Sequence, residues 1–400
     1  MKAGWQTSTL GDVLAVIRNG VNCKQDKSGN GDRISRIESI SAATFDLDKV
    51  GYAELSERDK ERNRLQPGDI LFSHINSAVH VGKTAVFDCD EPVYHGVNLL
   101  LMRPKEVVTS AYLDHALKYL FQSGYWRGVC KQSVNQASVN QQDISRVEIR
   151  YPKSLAEQQR IVGLLDEAFE GLATAKANAE KNLQNARALF ESHLQSVFTQ
   201  RGPGWVEKPL GDLCSIARGG SPRPIQSFLT TASDGFNWVK IGDATASGKY
   251  IYTTEQKIIR EGATRSRIVH AGDFLLSNSM SFGRPYIMQT TGCVHDGWLV
   301  LSDYASQLDQ DYLYLVLGSQ FMFQQFDRLA AGSTVRNLNI ELASRVEVPV
   351  PPLKQQRDIA QHLDAISEVT QRLARLYERK HAALAALKKS LLHQAFSGGL

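Results

Sequence analysis

The chain has 400 residues, 42% of them hydrophobic and 22% charged, with a net charge of +4 and a pI near 8.7. That length accommodates two or three domains, and the composition excludes a disordered chain, a collagen-like fibre and a transmembrane bundle. No stretch of eighteen apolar residues occurs, the first residues carry no signal-peptide pattern, and the mild basicity alone does not argue for nucleic acid. The five cysteines (Cys23, Cys89, Cys130, Cys214, Cys293) form no CxxC pair. They suit a reducing compartment, so a cytoplasmic location is expected and neither zinc nor disulfides are.

In chain order, Gly4-Trp5, then Leu10-Gly11-Asp12, then Arg18-Asn19-Gly20 open the first 200 residues. Gly204-Trp205, Leu210-Gly211-Asp212 and Arg218-Gly219-Gly220 open the second 200. The correspondence continues: Gly68-Asp69 with Gly272-Asp273, Gly82 with Gly283, His95 with His295, Tyr112 with Tyr312, and the segment 145–149 with 344–348. An offset held near 200 over so many segments means two homologous halves, 1–200 and 201–400, related by an approximate two-fold axis.

Each half has the same internal order. Short β-like runs at 69–73, 84–87 and 97–102, punctuated by Gly, Asn, Asp and Pro, suggest a mixed module, with helical patterns at 110–122 and 310–327. Pro152 and the prolines around 349–352 end the modules, and the periodicity then becomes helical. In 156–200 the apolar seam runs Leu165, Phe169, Leu172, Ala179, Leu183, Ala186, Phe190 and Val197, with Lys176 and His193 at its remaining positions. In 354–397 it runs Ile366, Val369, Leu373, Leu376, Ala383, Leu387 and Leu391. Each helix would be roughly 65 Å long at 1.5 Å per residue. Residues 156–200 hold four basic and six acidic side chains, and 354–397 hold eight and four, so the helices are expected to pair with each other, antiparallel, rather than lie on their own modules. The expected fold class is α+β: two homologous mixed α/β domains separated by two long antiparallel coiled-coil helices.

At this point the chain resembles the specificity subunits of Type I restriction–modification systems. The resemblance rests on the doubled Gly-Trp…Leu-Gly-Asp opening and the doubled Gly-Asp strand. Most diagnostic is a Pro-x-x-x-Leu-x-Glu/Gln-Gln helix start, present as Pro152–Gln159 and, with small departures, as Pro351–Arg357; the ending 390–398 adds to it. It covers essentially the whole chain. It implies a target recognition domain at 1–153, a spacer helix at 154–201, a second recognition domain at 202–352 and a second spacer at 353–400. It also implies a non-catalytic subunit that selects double-stranded DNA for two methyltransferase subunits, which would carry S-adenosylmethionine, and for restriction subunits where the complex includes them. The target would be bipartite and asymmetric, with half-sites about 10 base pairs apart.

Base reading needs amide, hydroxyl and guanidinium groups on loops, with cations for phosphates. The candidates in the first half are Arg18, Asn22, Lys24, Arg33, Arg36, Ser73, His74, Asn76, Lys83 and Gln136. Those in the second are Arg218, Ser221, Arg223, Lys240, Asn278, Ser279, Arg284, Thr334 and Arg336. The segment 76–84 resembles a phosphate loop but has Ser77 where the first glycine belongs, and two Glu-x-Lys triplets lack the rest of a nuclease motif. His95 and His295 repeat without metal-ligand spacing, so a structural role is expected. Two alternatives remain open: a coiled-coil adaptor that reads no DNA, and a single-chain DNA-modifying enzyme.

Overall fold

The computed structural model describes residues 4–133, 136–278, 283–330, 337–397 and 399–400. The chain divides into two compact units. One comprises Met1–Glu180 with Arg379–Leu400, the other Lys181–Glu378. Each unit therefore holds one module, the start of its own long helix and the end of the other.

The first unit is built on an antiparallel sheet in the order Leu14–Asn19, Leu100–Pro104, Ile70–Phe72, Thr84–Val86. Ile70, Leu71 and Phe72 are all fully buried, as an apolar run covered on both faces must be. Trp5–Thr9 pairs with Glu148–Pro152 and closes the module's two ends together. In the second unit the sheet is Ser215–Arg218, Trp298–Ser302, Phe274–Ser277, Pro285–Met288, Tyr250–Ile251, and Val206–Pro209 pairs with Glu347–Val350. A further five-stranded sheet centres on Phe236–Val239. The helical pattern at 310–327 resolves into Gln310–Leu317 and Gln320–Ala330. Buried Ser319 makes the break by accepting the Met322 N–H at 3.2 Å, which starts the second helix.

The repeated motifs are packing devices. At the Leu-Gly-Asp turn, the N–H of Leu10 donates to Val147 and that of Leu210 to Val346. Gly68 and Gly272 both adopt positive φ, ahead of an aspartate that accepts a backbone N–H of its own turn. In the first unit that aspartate, Asp69, also holds Arg103 in a bidentate pair at 2.7 and 2.8 Å. Tyr112 and Tyr312 donate to the Arg150 and Pro349 carbonyls.

The long helices span Leu155–Thr199 and Leu353–Ser397. Their starts are pinned by a buried amide. Gln158 accepts the Thr109 N–H at 2.9 Å and donates to the Val107 and Pro152 carbonyls. Gln356 accepts the Asp309 N–H at 2.7 Å and donates to the Gln307 and Pro351 carbonyls. In the first unit Lys388 lies 4.6 Å over the Phe169 ring while Leu392, Ala395 and Phe396 join the cluster of Ile161 and Leu165. Ascending positions on one helix thus meet descending positions on the other. In the second unit Arg187 pairs with Glu378, and Leu194 and Phe198 join Ala360 and Leu363. The expected antiparallel pairing holds in both units, but it does not replace packing on the modules: Ile161 and Leu165 share a core with Leu10 and Tyr112, and Ala360 and Leu363 share one with Leu210 and Tyr312.

Three details differ from the expected pattern. Leu194 and Phe198 are buried, whereas His193 is exposed, so the seam of the first helix shifts by one residue at its end. Along the second helix Val369, Leu376 and Leu387 are 46–57% exposed, and Thr370 and Leu363 take the buried line. Finally, the His95 and His295 carbonyls both lie against the turn glycine, Gly20 or Gly219, but the two residues are bonded differently. The amide after that glycine reaches the His95 carbonyl in one unit (Val21 N–H, 2.8 Å) but the Val294 carbonyl in the other (Gly220 N–H, 3.0 Å). His95 is fully buried, its Nε2 3.3 Å from the Arg18 carbonyl, and burial drives its pKa down to about 3. The structural role expected of it holds.

Candidate nucleic-acid interface

The first strand of each main sheet ends at the same ladder position. Asn19 stands opposite Leu100, which also pairs with Phe72; Arg218 stands opposite Leu299, which also pairs with Leu276. The chain then turns through Gly20 or Gly219, where a Cβ would lie 2.1 or 2.0 Å from a carbonyl oxygen, so only glycine fits. The sequence match of Arg18 with Arg218 is thus one residue out of register: Asn19 is the structural counterpart of Arg218.

In the first unit Asn19 organises a neutral cluster. Its Oδ1 accepts Gln141 Nε2 at 2.5 Å, which orients the amide so that Nδ2 reaches His74 Nε2 at 3.2 Å and donates to the Val97 carbonyl at 3.4 Å. His74 is buried, burial lowers its pKa to about 4, and its Nδ1 has no partner among the described residues. The Val139 N–H donates to the His74 carbonyl, tying in the hairpin Lys131–Ser133 and Gln136–Ser138, which pairs with Ile75–Asn76. Asn76 donates to buried Ser73. Asn22, Lys24 and Gln136 are exposed.

The remaining candidates of this unit lie apart from that cluster or are engaged. Arg18 donates to Asn63 Oδ1 at 2.9 Å and to the Arg62 carbonyl, and its burial lowers its pKa. Arg33 pairs with Glu91 at 2.6 Å and Arg36 with Glu38 at 3.3 Å, while Lys83 donates to the Ser41 carbonyl. Partly exposed pairs such as Arg33–Glu91 are worth at most about 1 kcal/mol, so a phosphate can displace the carboxylate. Ser73 and His74, by contrast, hold the scaffold from inside.

In the second unit the corresponding cluster is charged. The Asp296 carbonyl accepts Arg218 Nε at 3.0 Å and Asn278 Nδ2 at 2.9 Å. Its carboxylate accepts Ser221 Oγ at 2.5 Å and faces Arg223 at 3.4 Å. The Ser221 hydrogen bond, aided by the Arg223 charge, holds the Asp296 carboxyl below the usual range. Arg267 donates to the Arg218 carbonyl at 2.7 Å. Asn278 is 2% exposed and its carbonyl accepts the Leu338 N–H, as that of His74 accepts Val139. Lys240 stands apart, paired with Glu255 at 3.2 Å. Exposed Arg284 lines a cavity of about 760 Å³ with Lys249, Tyr286 and Tyr314. Ser279, Thr334 and Arg336 lie outside the described residues. Asn19, Gln141, Asp296 and Arg267 belong to these clusters but were absent from the expected set. Among the described residues no group of three or more His, Cys, Asp or Glu is placed to hold a metal, and no helix is long and apolar enough to cross a membrane.

A family model described as the Type I restriction modification DNA specificity domain matches residues 2–183 and again 203–378. The chain is 28% identical to a putative type I restriction enzyme specificity subunit, MjaX, of Methanocaldococcus jannaschii, over 98% of this chain and 93% of that protein. It is 28% identical to the EcoKI specificity subunit of Escherichia coli K12 over 47% of this chain and 40% of that one. In fold it is similar to a chain solved in a study of complex assembly and conformational transition of the type I R-M system (TM-score 0.80, 20% identity, covering 100% and 99% of the two chains). It is also similar to the HsdS subunit of Thermoanaerobacter tengcongensis (TM-score 0.66, 19% identity, 100% and 98%).

Proposed function

The chain belongs to the Type I restriction modification DNA specificity family, and from that premise we propose how it recognises DNA: each module, 1–153 and 202–352, reads one half of a bipartite, asymmetric target. The spacer segments 154–201 and 353–400 set the half-site spacing and dock methyltransferase subunits, one against each half, for N6-adenine methylation. Restriction subunits join where the system cleaves. This chain supplies recognition and no catalytic group; S-adenosylmethionine belongs to the methyltransferase, and the cytoplasm is where the complex works.

One observation carries this reading. At one ladder position and its surroundings, two repeats of the same frame carry different chemistry: Asn19 and Gln141 over buried His74 in one, and Arg218, Ser221 and Asp296 over buried Asn278 in the other. Amides suit adenine and guanidinium suits guanine, so half-sites of different sequence are expected. Exposed Val369, Leu376 and Leu387 support protein docking along the second long helix.

The test is a genome-wide map of N6-methyladenine in a host expressing the methyltransferase, with and without this chain. A bipartite asymmetric motif that depends on the chain is the expected result. An unchanged methylation pattern, with both proteins associated, would return the coiled-coil adaptor to first place.

A further inference from the structure

We propose that Asp296 is a base-specificity residue of the second module, its carboxylate accepting a hydrogen bond from the exocyclic amine of a base in the major groove, cytosine N4 foremost. The inference rests on the reading of this loop cluster as the DNA-facing one.

A carboxylate repels phosphate. Set among Arg218, Arg223 and Arg267, it lowers the non-specific attraction those arginines provide. Such a charge fits a site that discriminates, because it penalises every base that offers an acceptor at that point. The geometry supports the same role. Ser221 Oγ donates to one carboxylate oxygen at 2.5 Å, and the Asp296 N–H donates back to Ser221 Oγ at 3.3 Å, so the side chain is fixed before DNA arrives. Among the described residues the other oxygen meets the exposed Arg223 guanidinium at 3.4 Å, and the Asp296 side chain is 42% exposed.

The two modules differ at this point. The carbonyl that accepts the ladder-end side chain belongs to Val97 in the first unit and to Asp296 in the second. Val97 and Asp296 thus offer corresponding carbonyls to the ladder-end side chain, and among the described residues the carboxylate at this carbonyl belongs to the second half. Arg218 and Asn278 bind the Asp296 carbonyl rather than its carboxylate, so changing the side chain leaves both bonds available.

The assembled complex carrying Asp296→Val, the residue of the first module, or Asp296→Asn would be compared with wild type by N6-methyladenine mapping. Asp296→Asn keeps shape and an acceptor for Ser221 while exchanging the oxygen that faces Arg223 for a donor, so it guards against misfolding of the valine variant. The expected result is relaxation or change at one cytosine-bearing position of one half-site, roughly tenfold or more in preference, with the other half-site untouched. A uniform fall in methylation at an unchanged motif would mean that Asp296 only positions its neighbours and would overturn the proposal. So would a motif unchanged at full methylation. A wild-type complex with no chain-dependent motif removes the functional reading itself, whereas a wild-type motif that survives both substitutions removes only this proposal.

Discussion

Replacing Gln158 by leucine tests how the long helix is fastened to its module. The side chain is fully buried, and its amide satisfies the Thr109 N–H and the carbonyls of Val107 and Pro152. Leucine fills a similar volume and makes none of these bonds. Val107 is 46% exposed and its carbonyl can turn to water, but Pro152 and the Thr109 N–H lie deeper. Each buried orphan costs about 1–3 kcal/mol, so the expected loss is about 2–6 kcal/mol. That is a large part of a typical domain stability of about 5–15 kcal/mol. For a unit of this size about 1 kcal/mol moves the melting temperature by about 2–4 °C. Calorimetry should therefore show a transition lowered by roughly 8–16 °C for a mid-range loss of about 4 kcal/mol. Gln158→Glu can still accept from Thr109 but turns a carboxylate on two carbonyls, so it should be worse at neutral pH and partly recover on acidification, when the carboxyl can donate. A Gln158→Leu chain melting within about 2 °C of wild type would refute the account. Gln356→Leu should act likewise on the second unit.

Other consequences can be read directly. His95, with a folded pKa of about 3 against about 6.5 unfolded, binds its proton first in the unfolded chain. Stability is then complete above pH ~6.5 and falls on acidification, by up to about 1.4 kcal/mol per pH unit; His95→Gln should flatten that slope in denaturant titrations between about pH 6 and 4. Gly82→Ala places a Cβ 2.1 Å from the buried Trp126 ring at φ +92°, and chemical denaturation should show a loss of about 2–5 kcal/mol. Lys24→Ala and Arg223→Ala should each reduce the slope of log affinity against log salt by about 1 in the assembled complex, without altering the target sequence; an unchanged slope would place those cations off the phosphates.

Much of the architecture was legible because it is repeated and periodic. Two copies of a Gly-Trp, Leu-Gly-Asp and Gly-Asp series can hold register only if they serve the same turns, and the structure shows the carbonyls and amides they serve. The long helices followed from their apolar period. The exact seam did not, because His193 and Leu194 are adjacent and only the partner helix decides which faces it. The break near Gly318 was missed because the apolar pattern continues through it; the interruption comes from the buried Ser319 hydroxyl capping the next helix. The recognition clusters were the least legible part. Residues 19, 74, 97 and 141 meet through ladder register and a hairpin returning from far along the chain. Matching Arg18 to Arg218 by sequence aligned the wrong side chains by one, which in a strand reverses the face. Polar composition identified the right loops but could not separate buried Ser73, His74 and Asn278 from exposed Asn22, Lys24 and Gln136.

The two clusters share backbone acceptors at two places, around which each sets its own side-chain bonds. In both units the residue after the Gly-Asp strand serine offers its carbonyl to a returning N–H, Val139 to His74 and Leu338 to Asn278. The ladder-end side chain finds a carbonyl at the same place, Val97 or Asp296. Backbone atoms do not change with the side chain, so the frame tolerates substitution where the side chains project. This predicts that exchanging the ladder-end residue between halves, Asn19→Arg or Arg218→Asn, leaves folding and methyltransferase association intact, since either side chain can donate to that carbonyl. The target should change on one side only. If both exchanges abolished assembly instead, side-chain packing rather than the shared backbone frame would be holding the loops, and the two halves could not diverge in the way their sequences have.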